Sequence, residues 1–349
     1  MKALIGKLRT GSDLRASEIA YAVALLLSEE TAAAEKAAFL TALDEKGESA
    51  EEIAGFVEQL IGRAIDPGID PESLPGPMLD VCGTGGTGLE IFNVSTTIMF
   101  ILAAGGAVVV KHGNRSVTSC CGSADVLEAL GVRLHWPPEE LRECVKRLGL
   151  GFIYARVYHP AFRALAEMRA QLAEQKRRTI FNLLGPLLNP ARPRRQLIGV
   201  YAPRLTTVFA EVLRQLGRER AWIVHGSTGN GPGMDDISTT GATALAELAD
   251  ARLSSAVIDS RWLGIPEAAV ADLRGGDAAE NARTLTGILS GEVQGAKRDL
   301  ALVNAAGGFV VSGLARDMGE GIWLAKQQIE NGRALEKLRA LQSYPRNAA

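Results

Sequence analysis

Leu79-Asp80-Val81-Cys82-Gly83-Thr84-Gly85-Gly86-Thr87-Gly88 runs from an apolar stretch straight into a turn with four glycines in six positions. Glycines leave backbone N–H groups uncovered and free to converge on a phosphate. The same string satisfies G-x-G-x-x-G after a strand, the dinucleotide fingerprint. Two features turn it away from that reading. The fingerprint opens a helix at its last glycine, whereas Leu89–Val94 intervene here before the first good caps, Ser95 and Thr96. It also wants an acidic residue about 20 positions on, where this chain has Lys111 and His112.

Downstream, Asn93-Val94-Ser95-Thr96-Thr97 brings amide and hydroxyl groups to a helix start, a place suited to phosphate oxygens or a metal-bound water. Lys111-His112-Gly113-Asn114-Arg115-Ser116-Val117-Thr118-Ser119 follows a strand and gathers two cations and four hydroxyl or amide side chains in nine residues. Ligands of α/β sheets sit at the carboxyl ends of strands, so this loop is placed for an anion. Gly122-Ser123-Ala124-Asp125 opens the next helix with one more hydroxyl.

Further out, the first part is helical. Ser12 or Asp13 can cap a helix through Ile19–Leu27, Thr31 begins another to about Leu43, and Ser49 with Glu52 makes a capping box for a third. Asp66–Pro77, dense in proline and glycine, reads as a connector. Beyond it, strands at Met78–Cys82, Ala107–Val110, Gly151–Tyr154, Leu197–Tyr201 and Ala221–Val224 alternate with helices at Ser123–Leu130, Pro138–Leu148 and Leu205–Leu216. Such alternation predicts a largely parallel sheet covered by helices. Trp323–Leu341 reads as a closing helix with an interruption at Asn331-Gly332.

The 349 residues are 47% hydrophobic and 22% charged, ordinary for a globular chain long enough for two domains. The formal net charge of −2 offers no footprint for nucleic acid or membrane, so a bound anion must be held by local geometry. No apolar run reaches the length of a membrane span, and Met1-Lys2-Ala3-Leu4 does not open a signal peptide. Cys82, Cys120, Cys121 and Cys144 form no C-x-x-C pair, so neither a zinc site nor a disulfide framework is expected and a cytoplasmic location is.

Taken with Arg178–Pro193, read as RTIFNLLGPLLNPARP, these strings resemble the anthranilate phosphoribosyltransferases over nearly the whole chain. The resemblance implies a small N-terminal all-α domain, residues 1–75 joined by helices from about 159–190. Beside it stands a large α/β domain, 76–349, with a central, mostly parallel sheet flanked by helices, as in the pyrimidine nucleoside phosphorylases. It implies a homodimer, magnesium as cofactor, and transfer of the phosphoribosyl group of 5-phosphoribosyl 1-diphosphate (PRPP) to the amino group of anthranilate, with release of pyrophosphate. By motif, Gly83, Gly86, Thr87, Asn93, Val94, Ser95, Thr96, Lys111, His112, Gly113, Asn114, Arg115, Ser116, Val117, Thr118, Ser119 and Ser123 line PRPP. Gly83, His112, Asn114, Arg169, Gly185 and Pro186 face anthranilate, with Arg169, on a helix Ala161–Ala173, paired to its carboxylate. Ser95, Asp235 and Asp236 hold magnesium; neighbouring carboxylates repel one another unless a cation sits between them. No residue is an obvious general base, and positioning of an amine that already carries a free lone pair supplies the rate. Lys111 and Asp235 are both expected to stand exposed in the cleft, so that replacing either abolishes turnover and leaves the fold intact.

The chain departs from the family's habit at several points. Thr87 and Ile91 stand where an aspartate and a threonine are usual, Cys120-Cys121 where Lys-Ser is common, and Asp236 where the second acid is a glutamate. Leu172–Arg177 is about three residues longer than usual. Two other readings follow from the same residues. One is a paralogue with the sugar-diphosphate site and a different nucleophile or a binding role; the other is a pyrimidine nucleoside phosphorylase.

Overall fold

The computed structural model describes residues 1–345 apart from 117–119, 166–167, 169–171, 173–176 and 230. The chain opens with α1 (Lys2–Arg9), α2 (Ala16–Leu27), α3 (Ala33–Lys46) and α4 (Ala50–Ile61). The capping box at α4 forms as expected: Glu52 N–H donates to Ser49 Oγ at 3.2 Å, and Ser49 N–H donates to the Glu52 carboxylate at 2.9 Å. Glu52 is fully buried, which its further partners, Leu14 N–H and the Lys46 ammonium, make tolerable. Helix α2 starts later than the sequence suggests. Arg15, not Ser12 or Asp13, is its cap, and Asp13 is paired with Lys46 instead.

After the connector, whose only regular structure is a 3-10 turn at Pro71–Ser73, strands and helices alternate. They are β1 (Met78–Gly83), α5 (Val94–Ala104), β2 (Val108–Gly113), α6 (Ser123–Ala129), α7 (Pro138–Leu148), β3 (Leu150–Tyr154), β4 (Arg195–Gly199), α8 (Leu205–Gln215) and β5 (Arg220–Gly226). Helix α5 begins at Val94 with Asn93 as its cap, earlier than the expected Ser95 or Thr96. Two strands were not foreseen, β6 (Thr243–Ala249) and β7 (Arg252–Ile258). They form a hairpin whose two turn residues, Asp250 and Ala251, both have positive φ (49° and 60°). The turn has the backbone of an Asn-Gly type without its residues, and the run Ala242-Thr243-Ala244-Leu245-Ala246-Glu247-Leu248-Ala249 has a helix former's composition.

The sheet order is β3-β2-β1-β4-β5-β6-β7, parallel through β5 and antiparallel beyond. Side chains alternate across it. Leu197, Trp222 and Val224 join one apolar cluster, which includes α5 and the buried helix α10 (Ala296–Ser312). Ile198, Ala221 and Ile223 join a second cluster, continuous with α1–α4, α8 and Leu165, Met168 and Ile180. Helices α9 (Ala278–Ser290), α11 (Met318–Glu330) and α12 (Arg333–Gln342) complete the first layer. The break between α11 and α12 falls at Asn331-Gly332, as expected, with Gly332 at φ 77°. Among the described residues no helix is long and apolar enough to cross a membrane.

Candidate active site

The chain leaves β1 for β2 and β3 on one side, then returns to place β4 on the other, so the connections diverge at the β1/β4 pair. A crevice opens at such a switch point, beyond the strand ends. The last residues paired there are Gly83 and Gly199. Neither can carry a side chain: a Cβ on Gly83 would lie 2.2 Å from Asp235 Oδ2, and one on Gly199 1.6 Å from the Asp235 carbonyl oxygen. The acidic pair is thus seated against bare backbone. It is held from behind by Asn304 on α10, which accepts from Ile237 N–H at 2.8 Å and donates to the Ile237 carbonyl at 2.9 Å.

The glycine loop folds over this seat. Thr84 N–H donates to the Gly199 carbonyl at 2.9 Å, Gly85 N–H to Asp235 Oδ2 at 2.8 Å, and Tyr201 N–H to Thr84 Oγ1 at 3.0 Å. Gly85, Gly86 and Gly88 all have φ between 65° and 75°, the left-handed region where a side chain is costly. Thr87 presents no charge; its hydroxyl accepts from Leu89 N–H.

Lys111 corrects an expectation. It is 2% exposed, not standing in the cleft; its ammonium donates to the Val81 carbonyl at 2.5 Å and to Ser95 Oγ at 3.1 Å. Burial lowers its pKa, against the pull of Cys82, Asp80, Asp236 and Asp235. Lys111 therefore supports both the β1 backbone and the hydroxyl of Ser95, and removing it strips a buried carbonyl of its donor. Asp235 and Asp236 are half-buried. Burial raises both carboxyl pKa values, and for Asp236 the neighbouring Asp235 raises it further, well above the ordinary range.

Ser95, Asp235 and Asp236 line one cleft together with Cys82, Gly199 and Asn304. Among the described residues no group of three or more His, Cys, Asp or Glu gathers into a complete metal cage. Two carboxylates and a hydroxyl suit magnesium, which keeps waters and takes substrate phosphates as its remaining ligands. A divalent cation between the two acids would also relieve the repulsion that lifts Asp236.

A second wall, at the start of α5 and the end of β2, has polar atoms left over. Asn93 donates to the Cys121 carbonyl at 3.1 Å, but its Oδ1 is buried without a partner, as are Thr96 Oγ1 and His112 Nε2. His112 is 8% exposed; its Nδ1 lies 3.2 Å from the Gly185 carbonyl and its N–H donates to Asp80 Oδ1 at 3.3 Å. Burial drives its pKa to about 3, helped by His159, whose ring packs edge-on at 5.1 Å. The ring is therefore neutral at pH 7. Asn114 accepts from Arg115 N–H through its side chain, and its carbonyl accepts from Ala124 N–H and Ser123 Oγ. Gly113 lies so close to Ser123 Oγ that a Cβ would fall 2.2 Å away. The Arg115 guanidinium is turned to Asp125 and Glu128, which together raise its pKa, and Ser116 N–H donates to Asp125.

Gly185 and Pro186 close the site through their carbonyls, the latter accepting from Gln196 Nε2 at 3.1 Å. Val117, Thr118, Ser119 and Arg169 lie outside the described residues, as do six of the thirteen positions of the expected helix Ala161–Ala173, whose start at Pro160–Leu165 is 3-10. Several residues that shape the site were not singled out from sequence. Asp80 is fully buried in β1, lifted to about 6 by burial, and accepts from Asn189 Nδ2 at 3.0 Å. A carboxylate inside an apolar strand was its visible signal. Asn304 and Gly199 carried none, because each acts through a contact distant in sequence.

Residues 75–335 match the profile described as "Glycosyl transferase family, a/b domain", and residues 2–64 the "Glycosyl transferase family, helical bundle domain". The chain is 43% identical to anthranilate phosphoribosyltransferase of Anaeromyxobacter dehalogenans, over 97% of this chain and 96% of that protein. It is 41% identical to the enzyme of the same name from Moorella thermoacetica, over 99% and 98%. Among solved structures, anthranilate phosphoribosyltransferase from Thermus thermophilus superposes with a TM-score of 0.88 at 35% identity, covering 97% and 98% of the two chains. The Saccharomyces cerevisiae enzyme in complex with PRPP and Mg superposes at 0.85 with 26% identity, covering 97% and 96%.

Proposed function

The chain belongs to the anthranilate phosphoribosyltransferase family, and from that premise we propose which of its residues carry the reaction. The enzyme transfers the phosphoribosyl group of PRPP to the amino group of anthranilate, forming the N–C1 bond as the C1–O bond to pyrophosphate breaks. The observation that carries the site assignment is a cleft with two unlike walls meeting at the sheet's switch point. One is a seated acid pair under a glycine loop; the other holds three buried polar atoms with no protein partner.

The diphosphate lies against Gly83, Gly86 and Thr87 and against the start of α5 at Asn93, Val94, Ser95 and Thr96, where the helix N-terminus favours an anion. Lys111 contributes through the field of its buried charge and by fixing Ser95, and we assign Gly113, Asn114, Arg115, Ser116, Val117, Thr118, Ser119 and Ser123 to the lining of PRPP. Asp235, Asp236 and Ser95 hold magnesium, which when bound neutralises charge on the diphosphate and eases departure of pyrophosphate. C1 becomes cationic as that bond weakens. Neutral His112 suits this step because it adds no positive charge beside the cation. Anthranilate lies against Gly83, His112, Asn114, Gly185 and Pro186, with Arg169 on its carboxylate. Its amine needs no base to expose a lone pair, so orientation in the cleft does most of the work.

A helical lobe of residues 1–75, completed by residues from about 159–190, and an α/β lobe of 76–349 form the division we propose. The shared apolar cluster of α1–α4 with Leu165, Met168 and Ile180 supports it. We also assign a homodimer and a cytoplasmic location, on the family resemblance and on four cysteines that are all free. The test is fluorescence: anthranilate emission falls when native protein, magnesium and PRPP are combined. A folded protein that leaves it unchanged overturns the proposal.

A further inference from the structure

In Gly83–Gly88 the N–H of Gly85 is engaged by Asp235, but those of Gly86, Thr87 and Gly88 donate to no protein atom among the described residues. Three successive free N–H groups among left-handed glycines make an anion-binding concavity only if the peptides are turned the right way. One side chain sets that turn. Arg178, in the segment that leads into the helical turn Phe181–Leu184, donates from Nη2 to the Gly86 carbonyl at 2.8 Å. Its guanidinium carbon sits 4.0 Å from the centroid of the Tyr201 ring, and Tyr201 N–H is itself bound to Thr84 of the same loop. A trans peptide points its C=O and N–H in opposite directions. Holding the Gly86 carbonyl on Arg178 therefore turns the Thr87 N–H to the other side of the loop. Among the described residues no carboxylate lies within ion-pair distance of Arg178, and its side chain is exposed. Ile180, two residues on, belongs to the core of the helical lobe, whereas Gly86 and Tyr201 follow the ends of β1 and β4.

We propose that Arg178 is a positioning residue for the diphosphate of PRPP: reaching across from the helical lobe, it orients the Gly86–Thr87 peptide and leaves the loop's N–H groups free for the anion. This rests on the reading of the loop as the sugar-diphosphate grip. Arg178 bonds Gly86 and not Gly83, Gly185 or Pro186, so the effect falls on the PRPP side of the site.

The experiment compares wild type with Arg178→Ala, Arg178→Lys and Tyr201→Leu in the full-length enzyme, reading both KM values, kcat, melting temperature and calorimetric binding of pyrophosphate. Loss of a charged hydrogen bond predicts a rise of about tenfold in KM for PRPP and a matching loss of pyrophosphate affinity in Arg178→Ala. Anthranilate KM, kcat and melting temperature stay near wild type. Arg178→Lys recovers part of the loss, and Tyr201→Leu, which removes the ring beneath the guanidinium, raises KM for PRPP by about threefold. An unchanged KM for PRPP, or an equal rise in both KM values with a lowered melting temperature, overturns the proposal. A wild type inert toward anthranilate would count against the proposed function alone, since the pyrophosphate affinities still decide the role of Arg178.

Discussion

The two walls of the cleft are built on opposite principles. Where Gly83, Gly199 and Asp235 meet, the fit is so tight that a single added carbon would collide with backbone, and the loop above is pinned by hydrogen bonds to its neighbours. At the start of α5 and the end of β2, Asn93, Thr96 and His112 hold buried polar atoms with nothing to bind. Tight packing places charge accurately; unsatisfied atoms cost stability until a ligand arrives. The first wall belongs to the fold, and the second waits for its substrate.

Substitutions that treat the walls alike should break them differently. The largest effect is expected at the acid pair. Asp235→Ala lowers kcat/KM by about a thousandfold, since a metal ligand and the anchor of Gly85 go together, while the melting temperature changes little. Lys111→Ala loses comparable activity but also melts lower, because the buried Val81 carbonyl is orphaned. Differential scanning calorimetry separates the two, and equal melting of both variants contradicts the burial of Lys111.

Next comes Gly199→Ala. With a Cβ 1.6 Å from a backbone oxygen, β4 or the acidic segment must move, and we expect about 3 kcal/mol of destabilisation with a collapse of magnesium-dependent activity. Gly86→Ala, strained in φ but with open space around its Cβ, should cost only about 1 kcal/mol in denaturant unfolding. Similar losses in both would show the seat to be softer than it looks.

On the second wall the signs diverge. Thr96→Val removes a buried hydroxyl that has no partner, so the free enzyme should unfold no more easily than wild type, or gain about 1 kcal/mol. Its KM for PRPP should nonetheless rise by about tenfold. A Thr96→Val enzyme with unaltered KM would remove Thr96 from the site.

The smallest effect is expected at a residue that belongs to neither wall. Glu48, in the helical lobe, has its carboxyl raised to about 7 by burial, and its Oε1 has no partner. In the unfolded chain the group titrates near its ordinary 4.5, so between these values the folded state binds more protons and stability falls as pH rises. Glu48→Gln should therefore match wild type below pH 4.5 and exceed it by about 2 kcal/mol at pH 8, read from urea unfolding, with turnover unaffected.

Much of the first wall was legible in the chain because glycine clusters and strand ends announce themselves locally. The five parallel strands were visible as short apolar runs between helical periods, and the loop residues that matter lie within about 40 positions of one another. What escaped was placed by tertiary contact. Asn304 meets Ile237 from 67 positions away, and Lys111 looks like a cleft cation until the depth of β2 is known. The β6–β7 hairpin escaped for another reason. Its alanine-rich strand favours a helix, and only pairing with β5 overrides that preference.

Asn304 also dictates when the enzyme can exist. As the chain grows from its N-terminus, every recognisable piece of the sugar-diphosphate grip, from the glycine loop to Asp236, emerges before α10. The amide that clamps the acidic segment arrives only afterwards. A fragment ending after β7 would carry all the motifs and still lack the part that sets two of its acids in place. Competence is delayed until the last layer of helices has docked, so an interrupted chain is spared from holding a half-made site.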